Sequence, residues 1–305
     1  MSQAHANNID IEYEIYGATH GATHGASGAP TILLIMGLGA QLTRWPLPFV
    51  ERLASKGFRV IRFDNRDIGL STKCDAAGMP NIGAIATAKA TGKPVTVAYT
   101  LDDMAADAVG LLDALHIDRA HIVGASMGGM IGQLVAADYP KRVLSFTSVM
   151  STTGNPALPS SKPEAAALLS TPAPSPKDQE AFVAYAIKSA RTIGSPKYPA
   201  AEAVIRERAL SDAARSYAPL GMLRQLAAVT ATGDRRERLQ KIVAPTLVIH
   251  GADDPLVPVQ GGEDTAANIP GAELKIIPGM GHDLPVELHA TIVDAIVALI
   301  QRATG

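Results

Sequence analysis

Three residue types that could act together in nucleophilic catalysis occur at informative places in the chain. Ser126 lies in VGASMGGM, where small residues flank it on both sides, and His282 lies in the glycine-rich stretch PGMGHDLP. Asp253 and Asp254 lie in IHGADDPLVP. A serine hydroxyl becomes an effective nucleophile when a base takes its proton, and a carboxylate can hold that base in the required tautomer. If the fold brings these side chains together, they could transfer an acyl group.

The residues around Ser126 predict a tight turn from a strand into a helix. AHIVGAS is a short stretch with β-branched residues, and MGGMIGQLVAADYP has a helical pattern that Pro140 stops. Gly124-x-Ser126-x-Gly128 fits a nucleophile elbow, which needs small residues because strand and helix approach closely. The N-terminus of the helix would also favour a developing negative charge. The alternative is a tight turn with no catalytic role, since this short pattern also arises by chance.

His282 differs from the other histidines in following the last predicted strand, in a loop that can reach the carboxyl edge of a sheet. The others lie near the N-terminus, within predicted strands or beside helices: His5, His20, His24, His116, His121, His250 and His289. Either Asp253 or Asp254 could be the acid, because both follow the predicted strand TLVIHG. The end of the strand at 143–149 offers no acid before Glu164.

Strand and helix patterns alternate over most of the chain. The alternating stretch IDIEYEIY and continuous apolar runs such as TILLIM predict strands. Thr100 can cap a helix whose apolar residues share one face. The predicted strands are residues 9–16, 31–36, 58–64, 120–126, 143–150, 245–251 and 272–279. This alternation predicts right-handed βαβ units and a mostly parallel sheet.

The pattern changes between residues 151 and 240, which begin with a cluster of prolines and then show helical stretches near 178–192, 199–214 and 218–231. We therefore predict a core formed by residues 1–150 and 241–305, with 151–240 as an inserted helical cap. A cap over the carboxyl edge of a parallel sheet would cover the place where ligands bind. Its alanines and leucines indicate an apolar lid for acyl or alcohol groups of modest size.

Composition narrows the function class. The chain has 27 basic and 29 acidic residues, which argues against nucleic acid or an anionic membrane as partner. No apolar run approaches the roughly 18 residues of a membrane span, and the N-terminus lacks the features of a secretory signal. The single cysteine, Cys74, fits a reducing compartment, so we expect a cytoplasmic protein. His20 and His24 in GATHGATH could suggest a metal, but the glycines favour a loop.

In combination, these motifs resemble the α/β-hydrolase family. LLIMGLG, FDNRDIGLST, GASMGGM, HGADDPLVP and IPGMGH occur in the family's order within residues 9–150 and 241–305. Met-Gly in place of the usual His-Gly, together with RDIGLST, resembles the aclacinomycin methylesterase-like branch of serine esterases. The resemblance implies a mostly parallel central sheet flanked by helices, with an inserted helical cap.

The resemblance also implies roles for particular residues. Asp254 matches the family's acid, which stands in the pattern Gly-x-x-Asp counted from Gly251. The backbone amides of Leu38 and Met127 match the two donors of an oxyanion hole. The segment DNRDIGLS is mainly scaffold in the family, and the lone tryptophan, Trp45, matches an aromatic residue that packs the first helix or lines the pocket.

The first functional hypothesis is a serine carboxylester hydrolase acting on a small-molecule ester, with Ser126, Asp254 and His282 as its triad and with no cofactor or metal. A cofactor-free perhydrolase (haloperoxidase) or an acyltransferase would use the same triad. A receptor that binds a ligand in the cap pocket without turnover belongs to a different class. Haloalkane dehalogenases and epoxide hydrolases of this fold carry Asp where Ser126 stands, so their chemistries are disfavoured. The sequence carries no pattern that indicates an oligomeric state.

Overall fold

In the computed structural model, which describes residues 2–17, 28–171 and 173–304, the central element is a sheet of eight strands. The strands are β1 (Ser2–Ala6), β2 (Ile9–Tyr16), β3 (Thr31–Ile35), β4 (Arg59–Phe63), β5 (Ala120–Ala125), β6 (Val143–Val149), β7 (Thr246–Gly251) and β8 (Glu273–Ile277). Their order is β1-β2-β4-β3-β5-β6-β7-β8. Strands β3 to β8 are mutually parallel, whereas β2 pairs antiparallel with both of its neighbours, β1 and β4. The predicted mostly parallel sheet is confirmed.

Helices cover both faces of this sheet. Their bounds are α1 (Leu47–Ala54), α2 (Ile82–Ala90), α3 (Leu101–Ala114), α4 (Met127–Asp138), α5 (Pro163–Ser170), α6 (Gln179–Ile193), α7 (Glu202–Arg215), α8 (Pro219–Thr232), α9 (Arg236–Leu239), α10 (Gln260–Asn268) and α11 (His289–Thr304). Helices α3 and α4 pack on one face, and α1 and α11 pack on the other. None of the helices in the described ranges has the length and apolar character that crossing a bilayer requires.

Strand β3 shows why a continuous apolar run forms a central strand. Successive side chains of a strand point to opposite faces of the sheet. Leu33 and Ile35 pack into the core beneath α3 and α4, whereas Ile32 and Leu34 pack into the core beneath α1 and α11. Because both faces are covered, every position of this strand is buried.

The predicted start of α3 is confirmed by its capping contacts. The Thr100 hydroxyl accepts the Asp103 amide hydrogen, and the Asp103 carboxylate accepts the Thr100 amide hydrogen at 2.7 Å. Strand β1 and helices α2 and α10 have no counterpart among the predicted elements, and α1 was implied only by the family resemblance. Strand β1 is an exposed edge strand, so it lacks the apolar pattern that marks the central strands.

Between β6 and β7 the described part of the chain forms helices α5 to α9, and no strand. Three of them lie within a few residues of the predicted helices, while α5 and α9 are short additions. Helix α2 lies outside residues 151–240 but packs directly against α8. The division of the chain at residues 150 and 240 stays a prediction.

Candidate active site

Ser126 occupies the sharp turn between β5 and α4. Its backbone has φ 55° and ψ −121°, a conformation that costs a non-glycine residue free energy. Four hydrogen bonds hold it there. Its amide donates to Val149 O at 2.9 Å, and its carbonyl accepts from the Gly129 amide (2.9 Å), the Met130 amide (3.2 Å) and the Ser151 hydroxyl (2.8 Å). The turn is therefore fixed before any substrate binds.

Glycines beside Ser126 allow the strand and helix backbones to approach closely. A Cβ atom added at Gly124 would lie 2.1 Å from Gly128 O, and one added at Gly128 would lie 2.0 Å from Ile35 O. Neither separation is possible for real atoms, and backbone cannot move aside as a flexible side chain can. The predicted strand-to-helix turn is therefore present, and its small residues are required by packing.

We expect the substitution Gly128→Ala to destabilise the protein by at least about 2 kcal/mol, because the new methyl group must displace backbone of β3. Gly83→Ala is the matched control, since its Cβ would meet nothing closer than the Asn81 side chain at 3.7 Å. Alanine in that helix should be neutral or stabilising by up to about 1 kcal/mol. Urea unfolding curves of both variants test this, and a wild-type midpoint for Gly128→Ala would contradict the close approach.

His282 and Asp254 join Ser126 in one hydrogen-bonded chain. His282 Nε2 lies 2.9 Å from Ser126 Oγ, and His282 Nδ1 lies 2.7 Å from Asp254 Oδ2. The other carboxylate oxygen of Asp254 accepts the amide hydrogens of Leu256 (2.9 Å) and Val257 (2.8 Å). An ionised carboxylate can only accept, so Nδ1 carries the proton and Nε2 presents its lone pair to the serine hydroxyl. This arrangement can remove a proton from Ser126.

The two adjacent aspartates, of which the family resemblance favoured Asp254, have different surroundings. Asp254 is buried and contacts the imidazole, whereas Asp253 is exposed and accepts the Gly279 amide hydrogen at 2.8 Å. A second imidazole, that of His250, has Nε2 3.6 Å from Asp254 Oδ2 and 2.8 Å from Val257 O. Burial lowers the pKa of His250, which keeps this second ring neutral.

The loop after β3 brings Leu38 to the same place. Gly37, Leu38 and Gly39 line a cavity together with Ser126 and Met127. A Cβ atom at Gly37 would lie 3.0 Å from Ser126 Cβ, so this loop runs directly past the serine. Met127 opens helix α4, where backbone N–H groups lack carbonyl partners within the helix. Leu38 and Met127 thus lie on the two segments that meet at Ser126.

The cavity has a volume of about 1690 Å³ and extends from Ser126 and His282 between the sheet edge and helices α5 to α8. Common small-molecule pockets measure about 300–1,000 Å³, so this cavity is large. Its apolar lining includes Leu168, Phe182, Ile205, Met222, Leu226 and Val229. The sequence had suggested acyl or alcohol groups of modest size. The observed volume is larger than groups of that size require.

Arg66, Trp45 and Cys74 are held by packing and ion pairing. Arg66 is buried and paired with Asp107 through two contacts of 2.5 and 2.6 Å, so it braces a loop and does not face the cavity. Trp45 is fully buried with its ring 5.5 Å from that of Phe49, which is the packing role. Burial raises the pKa of the Cys74 thiol, which makes it less reactive.

Metal binding receives no support from the described side chains. Within residues 2–17, 28–171 and 173–304, no three His, Cys, Asp or Glu residues gather as metal ligands would. His20 and His24, the two histidines of the GATHGATH stretch, lie outside the described residues.

Sequence patterns did not indicate two further residues that hold the loops of the site. Ser195, which follows α6, accepts the Gly281 amide hydrogen at 2.9 Å and donates its hydroxyl to Asp283, next to His282. Gln225 on α8 contacts the loop that carries Leu38. Both act on segments 86 or more residues away in the chain, so no local spacing could have identified them.

Comparison with known proteins identifies the family of the fold. A family model described as the alpha/beta hydrolase fold matches residues 30–287, which is most of the chain. The crystal structure of an enol-lactonase from Burkholderia xenovorans LB400 superposes with a TM-score of 0.72 at 24% identity, covering 98% of this chain and 100% of the other. At that identity the likeness concerns the fold.

Two curated relatives are similar to this chain in sequence over most of its length. The rhodomycin D methylesterase DnrP of Streptomyces peucetius is 29% identical over 293 residues, which are 90% of this chain and 91% of the relative. The rhodomycin D methylesterase DauP of Streptomyces sp. (strain C5) is 30% identical over the same length and shares. These matches confirm the resemblance to the methylesterase branch, and the chain belongs to the α/β-hydrolase family.

Proposed function

We propose that this protein hydrolyses a carboxylic ester through an acyl-enzyme formed on Ser126. The family and the two methylesterase relatives make the chain an esterase-type hydrolase. The observation that carries the finer proposal is the hydrogen-bonded chain from Ser126 through His282 to Asp254, at 2.9 and 2.7 Å. A binding site has no need of a serine, a base and an orienting acid in this order.

The reaction begins when Ser126 Oγ attacks the ester carbonyl carbon and His282 Nε2 takes the hydroxyl proton. The carbonyl oxygen becomes an oxyanion, which the amides of Leu38 and Met127 stabilise by hydrogen bonds. As the tetrahedral intermediate collapses, His282 gives the proton to the leaving alkoxide, which departs as the alcohol. Water then attacks the acyl carbon with His282 again as base, and His282 returns that proton to Ser126 Oγ as the carboxylic acid is released. Asp254 stabilises the imidazolium in both halves.

We propose that the acyl part of the substrate is bulky and largely apolar and that the alcohol part is small. The cavity of about 1690 Å³ beside Ser126 would hold a large acyl group, and its lining from α6 to α8 is rich in apolar side chains. Both curated relatives are methylesterases by name. We further propose that residues 151–240 act as a cap that supplies this lining, and that the protein is cytoplasmic.

Hydrolysis of methyl esters of increasing acyl size tests the proposal. Methyl acetate, methyl butyrate, methyl octanoate and methyl 2-naphthoate would be followed by acid release in a pH-stat, with heat-treated protein as the blank. We expect kcat/KM to rise by at least about tenfold from acetate to the largest acyl groups, because buried apolar area stabilises the bound acyl chain. Highest activity on methyl acetate would contradict the bulky acyl group. No turnover of any ester by folded protein would favour the ligand-binding alternative.

A further inference from the structure

Gln225 makes two hydrogen bonds from the middle of α8 to segments of the core. Its Oε1 accepts the Gly39 amide hydrogen at 2.8 Å, and its Nε2 donates to Arg66 O at 2.8 Å. The side chain is fully buried. An amide hydrogen can only donate and a carbonyl oxygen can only accept, so the two partners fix the orientation of the Gln225 amide. One side chain therefore joins the loop after β3 to the loop after β4.

The segment that Gln225 holds runs directly past the candidate catalytic serine, because a Cβ atom at Gly37 would lie 3.0 Å from Ser126 Cβ. The Gly39 N–H belongs to the planar Leu38–Gly39 peptide unit, so fixing it restricts the positions open to the Leu38 N–H, which lies two dihedral angles away in the preceding unit. Helix α8 also contacts this loop through Met222, whose Cγ would lie 2.8 Å from a Cβ at Gly39. Met222 and Gln225 are three residues apart and share one face of the helix.

The neighbouring Arg224 holds α8 in position. Its guanidinium is almost completely buried and contacts both carboxylate oxygens of Asp67, at 2.7 and 2.8 Å, and one of Asp75, at 2.8 Å. Paired, buried guanidinium groups with this geometry are strongly directional. The second partner of Gln225, the Arg66 carbonyl, is also held in place, because the side chain of Arg66 is paired with Asp107. Gln225 thus connects two rigid supports to the loop that carries Leu38.

We propose that Gln225 is a positioning residue for the oxyanion hole, holding the Leu38 amide at the angle that the tetrahedral intermediate requires. This inference rests on the proposed ester hydrolysis at Ser126. Gln225 touches no reacting atom and acts through the Gly39 peptide. Its contribution should therefore increase as the carbonyl oxygen gains charge, and it should affect the transition state more than the bound ester.

The test compares Gln225→Met and Gln225→Glu with wild type on one good ester substrate. Methionine keeps the length of the side chain and removes both hydrogen bonds, whereas glutamate keeps an acceptor for Gly39. We expect Gln225→Met to lower kcat by about 10- to 100-fold with KM within about twofold, since small misplacements of catalytic groups have effects of this size. Gln225→Glu should lose less.

The inhibition constant of a boronic acid provides a second measurement, which a general loss of protein stability would not change. Ser126 Oγ adds to the trigonal boron, and one oxygen of the resulting tetrahedral adduct occupies the oxyanion position. The inhibition constant should rise in Gln225→Met by about the factor by which kcat falls, because both report the same hydrogen bonds. Binding of the product acid, which has no such adduct, should stay within about twofold.

Gln133→Met is the matched control. Gln133 is equally buried, lies on α4, and bonds to Thr152 O and the Arg235 guanidinium instead of the loop with Leu38. We expect it to lower Tm while kcat and boronic acid affinity stay near wild type. An unchanged kcat in folded Gln225→Met and Gln225→Glu would overturn the proposal. So would failure of both variants to fold, which would assign Gln225 to stability alone.

The two proposals fail in distinguishable ways. If wild-type protein hydrolyses esters and Ser126→Ala does not, the ester hydrolase stands whatever the Gln225 variants do. If wild type has no esterase activity and no boronic acid inhibits or binds it, the ester hydrolase itself fails. Normal catalysis in both Gln225 variants would remove only the positioning role.

Discussion

Ser126→Ala is expected to lower kcat for ester hydrolysis by about 10⁴- to 10⁶-fold, the range seen when a catalytic nucleophile is removed. Alanine lacks the oxygen that forms the acyl-enzyme, so only oxyanion stabilisation and substrate binding remain. The backbone contacts of residue 126 with Val149, Gly129 and Met130 do not involve the side chain. The fold and the Tm should therefore be retained, and Tm by calorimetry beside steady-state kinetics checks both statements.

Ser189→Ala is the matched control for this loss. Ser189 also lines the cavity, but its hydroxyl bonds to Tyr185 O one helical turn earlier, at 2.8 Å. Its removal should change kcat less than about threefold. A fluorophosphonate probe should label wild type and Ser189→Ala at Ser126, as read by peptide mass spectrometry, and should not label Ser126→Ala. Retained turnover in purified Ser126→Ala would end the acyl-enzyme mechanism.

Asp254→Asn is expected to lower kcat by about 10⁴-fold, because the substitution reverses the tautomer of the base. The asparagine oxygen can still accept the Leu256 and Val257 amide hydrogens, which leaves its NH₂ group facing His282 Nδ1. His282 Nδ1 must then accept a hydrogen bond from that NH₂ group, so the imidazole proton moves to Nε2. Nε2 can then no longer take the proton of Ser126. Steady-state kinetics on the ester that wild type cleaves best would measure the loss.

The adjacent Asp253→Asn provides a control of the same chemistry one residue away. Asp253 is exposed and its carboxylate accepts the Gly279 amide hydrogen instead of contacting His282, so kcat should stay within about twofold. Equal losses in the two variants would show that the negative charge of the loop matters and the contact with His282 does not. That result would contradict the role proposed for Asp254.

Much of the fold was predictable because burial on two faces leaves a strong pattern in the sequence. Strand β3 places alternate side chains in two cores, so its four consecutive apolar residues after Thr31 identified it. Strand β1 lies at the edge of the sheet, with a neighbouring strand on one side only and with exposed polar residues. Its sequence pattern therefore resembles that of a loop. Helix α2 buries little besides Ile85, which gives it no clear apolar stripe.

The candidate site divides in the same way. Ser126 could be predicted because the close approach of strand and helix restricts the residues around it to small ones within a short window. His282 followed from its place after the last strand. Strand position alone left Asp253 and Asp254 open and the family pattern pointed to Asp254; the physical difference lies in the turn after β7, whose amides bind the Asp254 carboxylate and leave Asp253 exposed. Ser195 and Gln225 bond to residues far along the chain, so only three-dimensional contacts identify them.

The segment between β6 and β7 does more than shape the cavity, because it also holds the loop that carries His282 and the loop that carries Leu38. Ser195 bonds to the residues on either side of His282, and Gln225 bonds to the loop that carries Leu38. On the proposed function, the segment that would set substrate preference is therefore not an interchangeable module. A chimaera that received this segment from a relative to acquire its substrates would also need a hydroxyl for Gly281 and Asp283 and an acceptor for Gly39. Engineering by recombination should therefore exchange cavity-lining side chains and retain these two anchors.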